Sequence, residues 1–150
     1  MAIDRADWHW DNAYDLYIKK HSISGDLTDE QTNEIYLLAA NHIGLFLRWI
    51  FDNGFEGEDT DEEGAERVRN GEISGAEYLL GWCDGKFWDV DVSENILDFV
   101  NEYYDRYFHD YTYCLTSPDR PCYSFISGDE DYGKIAPFID NAYHSFLKKQ

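Results

Sequence analysis

The sequence predicts a mainly α, compact multi-helix single domain spanning residues 1–150, and three observations carry that reading. Apolar residues recur at helical spacing in four long stretches, two capping boxes mark helix starts, and 43% hydrophobic with 17% aromatic residues is enough to build one core. At 150 residues the chain has the usual size of one domain and needs neither disulfide nor metal to fold.

The first helix is predicted from about Asp11 to His21. Trp10, Ala13, Tyr14, Tyr17 and Ile18 fall near one face, and Asp11 and Asp15 lie near its positive end. The segment from Ser22 to Leu27, with Gly25, interrupts it. Thr28 followed by Gln31 reads as a capping box that opens a helix running to about Asn53. Ile35, Leu38, Ala39, Ile43, Phe46, Trp49 and Ile50 form its apolar face. Leu37, Leu45, Leu47 and Phe51 widen that stripe until little of the second half is polar, which marks a central helix with several neighbours. Gly44 would let another helix approach closely. His42, on the apolar side, reads as a core histidine whose neutral ring bonds a carbonyl or a tyrosine.

Glu56 to Glu66 holds seven acidic residues and no basic one, a solvated loop running into a short helix that ends near Arg69. Ser74 and Glu77 form the second capping box, ahead of a short helix with Ala76, Leu79, Leu80 and Cys83 that stops at Asp84-Gly85. Ser93 caps an aromatic-rich helix carrying Ile96, Phe99, Val100, Tyr103, Tyr107 and Tyr111. Between Tyr111 and Ser127 the helical period fades around Ser117-Pro118-Asp119-Arg120-Pro121, which leaves room for one small β-hairpin near 111–127. In the last helix Ile135, Phe138, Ile139, Ala142, Tyr143, Phe146 and Leu147 share a face. Pro137 is expected in its first turn, with Lys148 and Lys149 at its negative end.

Asp and Glu number 31 against 12 Lys and Arg, a net charge of −19. Nucleic acid and anionic membrane are thereby disfavoured as partners, since the longest basic runs are the pairs Lys19-Lys20 and Lys148-Lys149. Such a field suits fast encounter with a cationic protein, or solubility alone. Cys83, Cys114 and Cys122 are irregularly spaced and give no complete disulfide framework, which fits a reducing cytoplasm. The first residues, Met1 to Asp7, lack the apolar core of a signal peptide. Ile35 to Phe51, broken by Asn41, His42 and Arg48, is too short and too polar to span a bilayer.

No catalytic, cofactor-binding or metal-ligating set is expected. Asp59 to Gly64 opens like a calcium loop, but from Asp59 the ninth position is Arg67 and the twelfth is Asn70, where a bidentate Glu is required. His9, His21, His42, His109 and His144 include no pair at the spacing that places two imidazoles on one helical face. Asp7, Asp11 and Asp15 would form an acidic ridge if the first helix extended back that far, an ordinary feature near a helix N-terminus. Glycine-rich phosphate loops and the Gly-x-Ser-x-Gly elbow are absent. Cys83 beside Asp84 lacks the positive surroundings that activate a thiol and reads as structural.

Several blocks taken as a set carry a resemblance: Asp7-Trp8-His9; His42-Ile43-Gly44-Leu45-Phe46-Leu47-Arg48-Trp49; Gly75-Ala76-Glu77-Tyr78-Leu79 with Cys83-Asp84-Gly85-Lys86; and Tyr103-Tyr104 with Asp110-Tyr111. Over most of its length the chain resembles a poorly characterised family of short acidic bacterial proteins, of the kind found among immunity proteins encoded beside secreted antibacterial toxins. The resemblance implies a cytoplasmic, non-enzymatic protein that binds a cognate toxin and occludes its active site. Surface charge supplies the candidate contact residues: Glu56, Glu58, Asp59, Asp61, Glu62 and Glu63 first, then Asp84, Asp89 and Asp91, or Asp129, Glu130 and Asp131. Two other classes stand beside this one. A small enzyme would use His9, His42 and Asp84 in a cleft, and an oligomeric adaptor would expose a flat Tyr and Trp patch.

Overall fold

A computed structural model describes residues 1–150. In chain order the elements are β1 Ala2–Arg5, α1 Trp10–His21, α2 Asp29–Asp52, α3 Glu62–Arg69, α4 Gly75–Trp82, β2 Lys86–Trp88, α5 Glu94–Leu115 and α6 Asp129–Lys148. Short 3-10 turns at Ala6–His9 and Asp89–Asp91 follow the two strands. The domain is therefore mainly α. No helix is long and apolar enough to cross a membrane.

Helix α2 starts where the capping box predicts. The Gln31 backbone N–H donates to Thr28 Oγ1 at 3.1 Å, and the Thr28 N–H donates to Gln31 Oε1 at 2.8 Å. Every residue from Ala39 to Leu47 is buried, so this helix is enclosed on all sides rather than on one stripe. Phe46 inserts among Tyr103, Tyr104 and Tyr107 of α5, with ring centroids 6.4, 5.2 and 4.8 Å away. Trp49 packs toward α6 and donates its indole N–H to Asp140 Oδ1 at 2.8 Å. Helix α4 crosses α2 at glycines, as expected at Gly44. A Cβ there would lie 2.2 Å from the Ala76 nitrogen, and one on Gly75 would lie 1.9 Å from the Gly44 oxygen.

Three expectations are corrected: the place of the strand pair, the position of Pro137 and the capping role of Ser93. The strand pair does not lie at 111–127: β1 pairs antiparallel with β2, Asp4 opposite Phe87 and Arg5 opposite Lys86. Helix α5 instead keeps its apolar period through Tyr111 to Leu115, and Ser117 and Arg120 then close only a tight turn. The segment after that turn is held by side chains. Asn41 donates to Tyr111 Oη and Ser127 Oγ, both at 2.9 Å, and accepts from the Ser127 N–H at 2.9 Å. Helix α6 begins at Asp129, so Pro137 lies in its interior and not in the first turn. Asp129, Glu130 and Asp131 stabilise that earlier start against the helix dipole, while Pro137 leaves the Gly133 carbonyl without its helical donor. Helix α1 ends on Ser22 in the left-handed region, at φ 53°, ahead of Gly25. Ser93 occupies the N-cap of α5, but its hydroxyl turns to Asn95 Oδ1 and makes no cap bond.

Candidate functional site

The β1–β2 pairing turns Asp4 inward, where it is 5% exposed. Its carboxylate accepts four hydrogen bonds: from His9 Nε2 at 2.7 Å, His42 Nε2 at 3.0 Å, Tyr104 Oη at 2.8 Å and the Arg5 backbone N–H at 2.8 Å. Burial opposes the charge on Asp4, but hydrogen bonds from His42 and His9 outweigh it and hold the carboxyl well below the usual carboxylate range. An ionised carboxylate only accepts, so both imidazoles carry a proton on Nε2. His42 is fully enclosed. Burial pushes its pKa down more than Asp4 lifts it, which keeps the ring neutral near pH 7.

The far side of each ring differs. His9 Nδ1 pairs with the Tyr123 hydroxyl at 2.5 Å. Burial pushes the Tyr123 hydroxyl up and keeps it protonated, so that it can donate to His9 Nδ1 while Nε2–H faces Asp4. Tyr123 makes this contact from a left-handed backbone, φ 68°, an uncommon conformation for an aromatic residue. His42 Nδ1 has no partner. It lies in an aromatic cage, with the ring centroids of Phe108, Tyr111 and Tyr123 at 5.1, 5.9 and 5.9 Å from that of His42.

Asp4, His9 and His42 together place three metal-capable ligand atoms within 4.8 Å of one another. The sequence reading grouped His9 with His42, but with Asp84 as the third member of an enzyme's cleft; Asp4 and the metal-capable set were missed because only local spacing was searched, whereas the three come from a strand, a 3-10 turn and the middle of α2. The available signal was that His9 and His42 each stand in one of the blocks that carry the resemblance. Asp84 is not part of the group: its side chain is 92% exposed and sits 3.4 Å from Lys86 Nζ. Burial pushes the Cys83 thiol up to about 12, in keeping with a structural cysteine.

The acidic residues separate into two kinds. Glu56 is turned inward onto Arg69, whose guanidinium also meets Glu66 at 2.9 Å and Glu62 at 3.4 Å. Asp91 is half-buried and accepts the Trp88 N–H at 2.7 Å, and Asp131 is buried against Arg120 at 2.7 Å and Ser127 at 2.8 Å. Asp129 pairs with Arg48 at 2.8 Å and Glu130 with Lys134 at 3.6 Å. Glu58, Asp59, Asp61 and Glu63 are exposed and have no such internal cation.

Two acidic loops far apart in sequence are stitched together. The Gly57 N–H donates to the Asp91 carbonyl at 3.0 Å and the Ser93 N–H to the Phe55 carbonyl at 2.8 Å. Gly57 is required there, since a Cβ would sit 2.0 Å from the Val90 oxygen. Between the loops runs a groove of about 520 Å³, lined by Glu58, Asp59, Asp89, Val90, Glu94 and Leu97 among others. Val90 is 68% exposed, an apolar spot inside a carboxylate rim.

No curated protein and no solved structure matches the chain. A family model does match, over residues 2–124, a span that contains both the Asp4 cluster and the acidic groove. The chain accordingly belongs to the family described as Domain of unknown function (DUF7832).

Proposed function

We propose that the protein binds a cationic protein partner on the groove between the Gly57 and Val90 loops, and that this partner is a cognate antibacterial toxin neutralised in the cytoplasm by covering its active site. The observation that carries the reading is the convergence of Glu58 and Asp59 from one loop with Asp89 and Glu94 from the 3-10 turn and the start of α5 around exposed Val90. Asp89 already meets the Met1 ammonium at 3.2 Å, whereas Glu58, Asp59 and Glu94 have no internal cation and remain available to a partner's Lys and Arg; an apolar centre with a charged rim is the usual anatomy of a protein interface. The net charge of −19 adds long-range attraction for such a partner. The toxin itself is supplied by the resemblance of the sequence blocks.

The test is co-expression with the toxin encoded beside the gene, paired with association kinetics. Wild type should rescue growth and form a complex. The triple variant Glu58→Gln, Asp59→Asn, Glu94→Gln should associate about tenfold or more slowly at low salt, with a flattened salt dependence. Absence of both rescue and complex would end the proposal.

A further inference from the structure

Beyond the groove, we propose that Asp4, His9 and His42 form a binding site for a divalent zinc-class cation with one coordination position left open. The ligand atoms are a carboxylate and two imidazole Nε2 atoms, all within 4.8 Å of one another, the donor set of open zinc centres. The charge argument points the same way. The Asp4 carboxylate is enclosed by four donors, and neither Lys nor Arg reaches it through a side chain; Arg5 bonds Asp7 instead. A buried negative charge inside a protein of net charge −19 favours uptake of a cation.

The outer contacts suit coordination at two of the three ligands. A metal takes the Nε2 lone pair of His9, so the ring proton moves to Nδ1 and the Tyr123 hydroxyl at 2.5 Å turns from donor to acceptor. Tyr104 and the Arg5 N–H also hold the Asp4 carboxylate, on Oδ2 and Oδ1. His42 lacks an acceptor at Nδ1, where its proton would lie among aromatic rings. That absence sets the affinity about 10–100-fold below a site with every outer contact made. The His9 side chain is 19% exposed, which gives the cluster one wet side for entry and for the open position.

The experiment is titration of metal-stripped full-length protein with ZnCl2, read by calorimetry, and with Co2+, read by its visible spectrum. One equivalent should bind, and Co2+ should give the intense bands of low coordination number. His9→Gln should abolish this, and Tyr123→Phe should weaken it about 10–100-fold while circular dichroism stays unchanged. Imidazole nitrogen NMR of the wild type needs no variant: zinc should strip the proton from Nε2 of His9 and His42. Failure to bind one equivalent, equal binding by both variants through surface carboxylates, or Nε2 protons that survive saturating zinc would each overturn the proposal.

Discussion

The Asp4 cluster and the acidic groove hold carboxylates in opposite ways. In the cluster a single buried carboxylate takes four donors, while in the groove Glu58, Asp59 and Glu94 face solvent without a side-chain partner and half-buried Asp89 meets only the Met1 ammonium. Removing an ion from water costs several kcal/mol, recovered only if donors are already in place, so every contact of Asp4 matters. Water and salt screen the groove charges over a Debye length of about 8 Å, so no single one governs folding. The net charge of −19 thus describes how the surface meets a partner, whereas the buried carboxylates Asp4 and Asp131, which barely contribute to that total, are held by donors inside the fold.

The largest expected difference is in stability. Asp4→Ala leaves the N–H groups of His9 and His42 and the Tyr104 hydroxyl without their acceptor and should cost about 3–5 kcal/mol. Asp59→Asn should move stability by no more than about 0.5 kcal/mol. Denaturant midpoints at constant slope measure both, and equal shifts would break the comparison.

The pH profile sharpens it. Asp4 and His42 both have folded pKa values below their ordinary ones, so in both cases the unfolded chain binds more protons and stability rises with pH. The contribution of His42 is complete above about its ordinary 6.5 and declines as pH falls below that; the contribution of Asp4 is complete above its ordinary 3.8 and declines below it. Stability should therefore start to fall below pH 6.5 and fall further below pH 4. The groove triple variant should keep the same slope. A flat profile from pH 7 to 5 would show that His42 is not held neutral.

What could be read in the sequence follows a physical line. Helix starts written in local chemistry, such as Thr28 with Gln31 and Ser74 with Glu77, appear where expected because cap and periodicity act within one turn. The close approach at Gly44 was legible for the same reason, a missing side chain on a buried face. Strand β2 was not: Lys86–Trp88 is three residues long and exists only because β1 lies beside it. The cluster was half visible: His9 and His42 stood together in the enzyme alternative, but Asp4 did not, since it joins them only after α2 docks against the N-terminal strand and turn. For the groove, the acidic composition was visible, but the pairing of Glu56 with Arg69 and the docking of Gly57 on the Val90 loop depend on tertiary contacts.

The smallest effect separates the two regions most cleanly, because it changes sign. Glu58→Gln with Asp59→Asn removes two like charges from one rim and touches no hydrogen bond or ion pair of the fold. Self-repulsion among the remaining carboxylates should drop, so the double variant should be slightly more stable than wild type at low salt, by a few tenths of a kcal/mol. At 0.01 M salt the Debye length is about 30 Å and the whole rim is felt; at 1 M it is about 3 Å and the gain should vanish. Asp4→Ala should show no such reversal, since its loss arises from unmet donors that salt does not reach. Melting temperatures of the variants at both ionic strengths decide the point. Should the double variant be less stable at low salt, these carboxylates contribute to the fold through contacts of their own, and the groove is not the free surface that a partner would need.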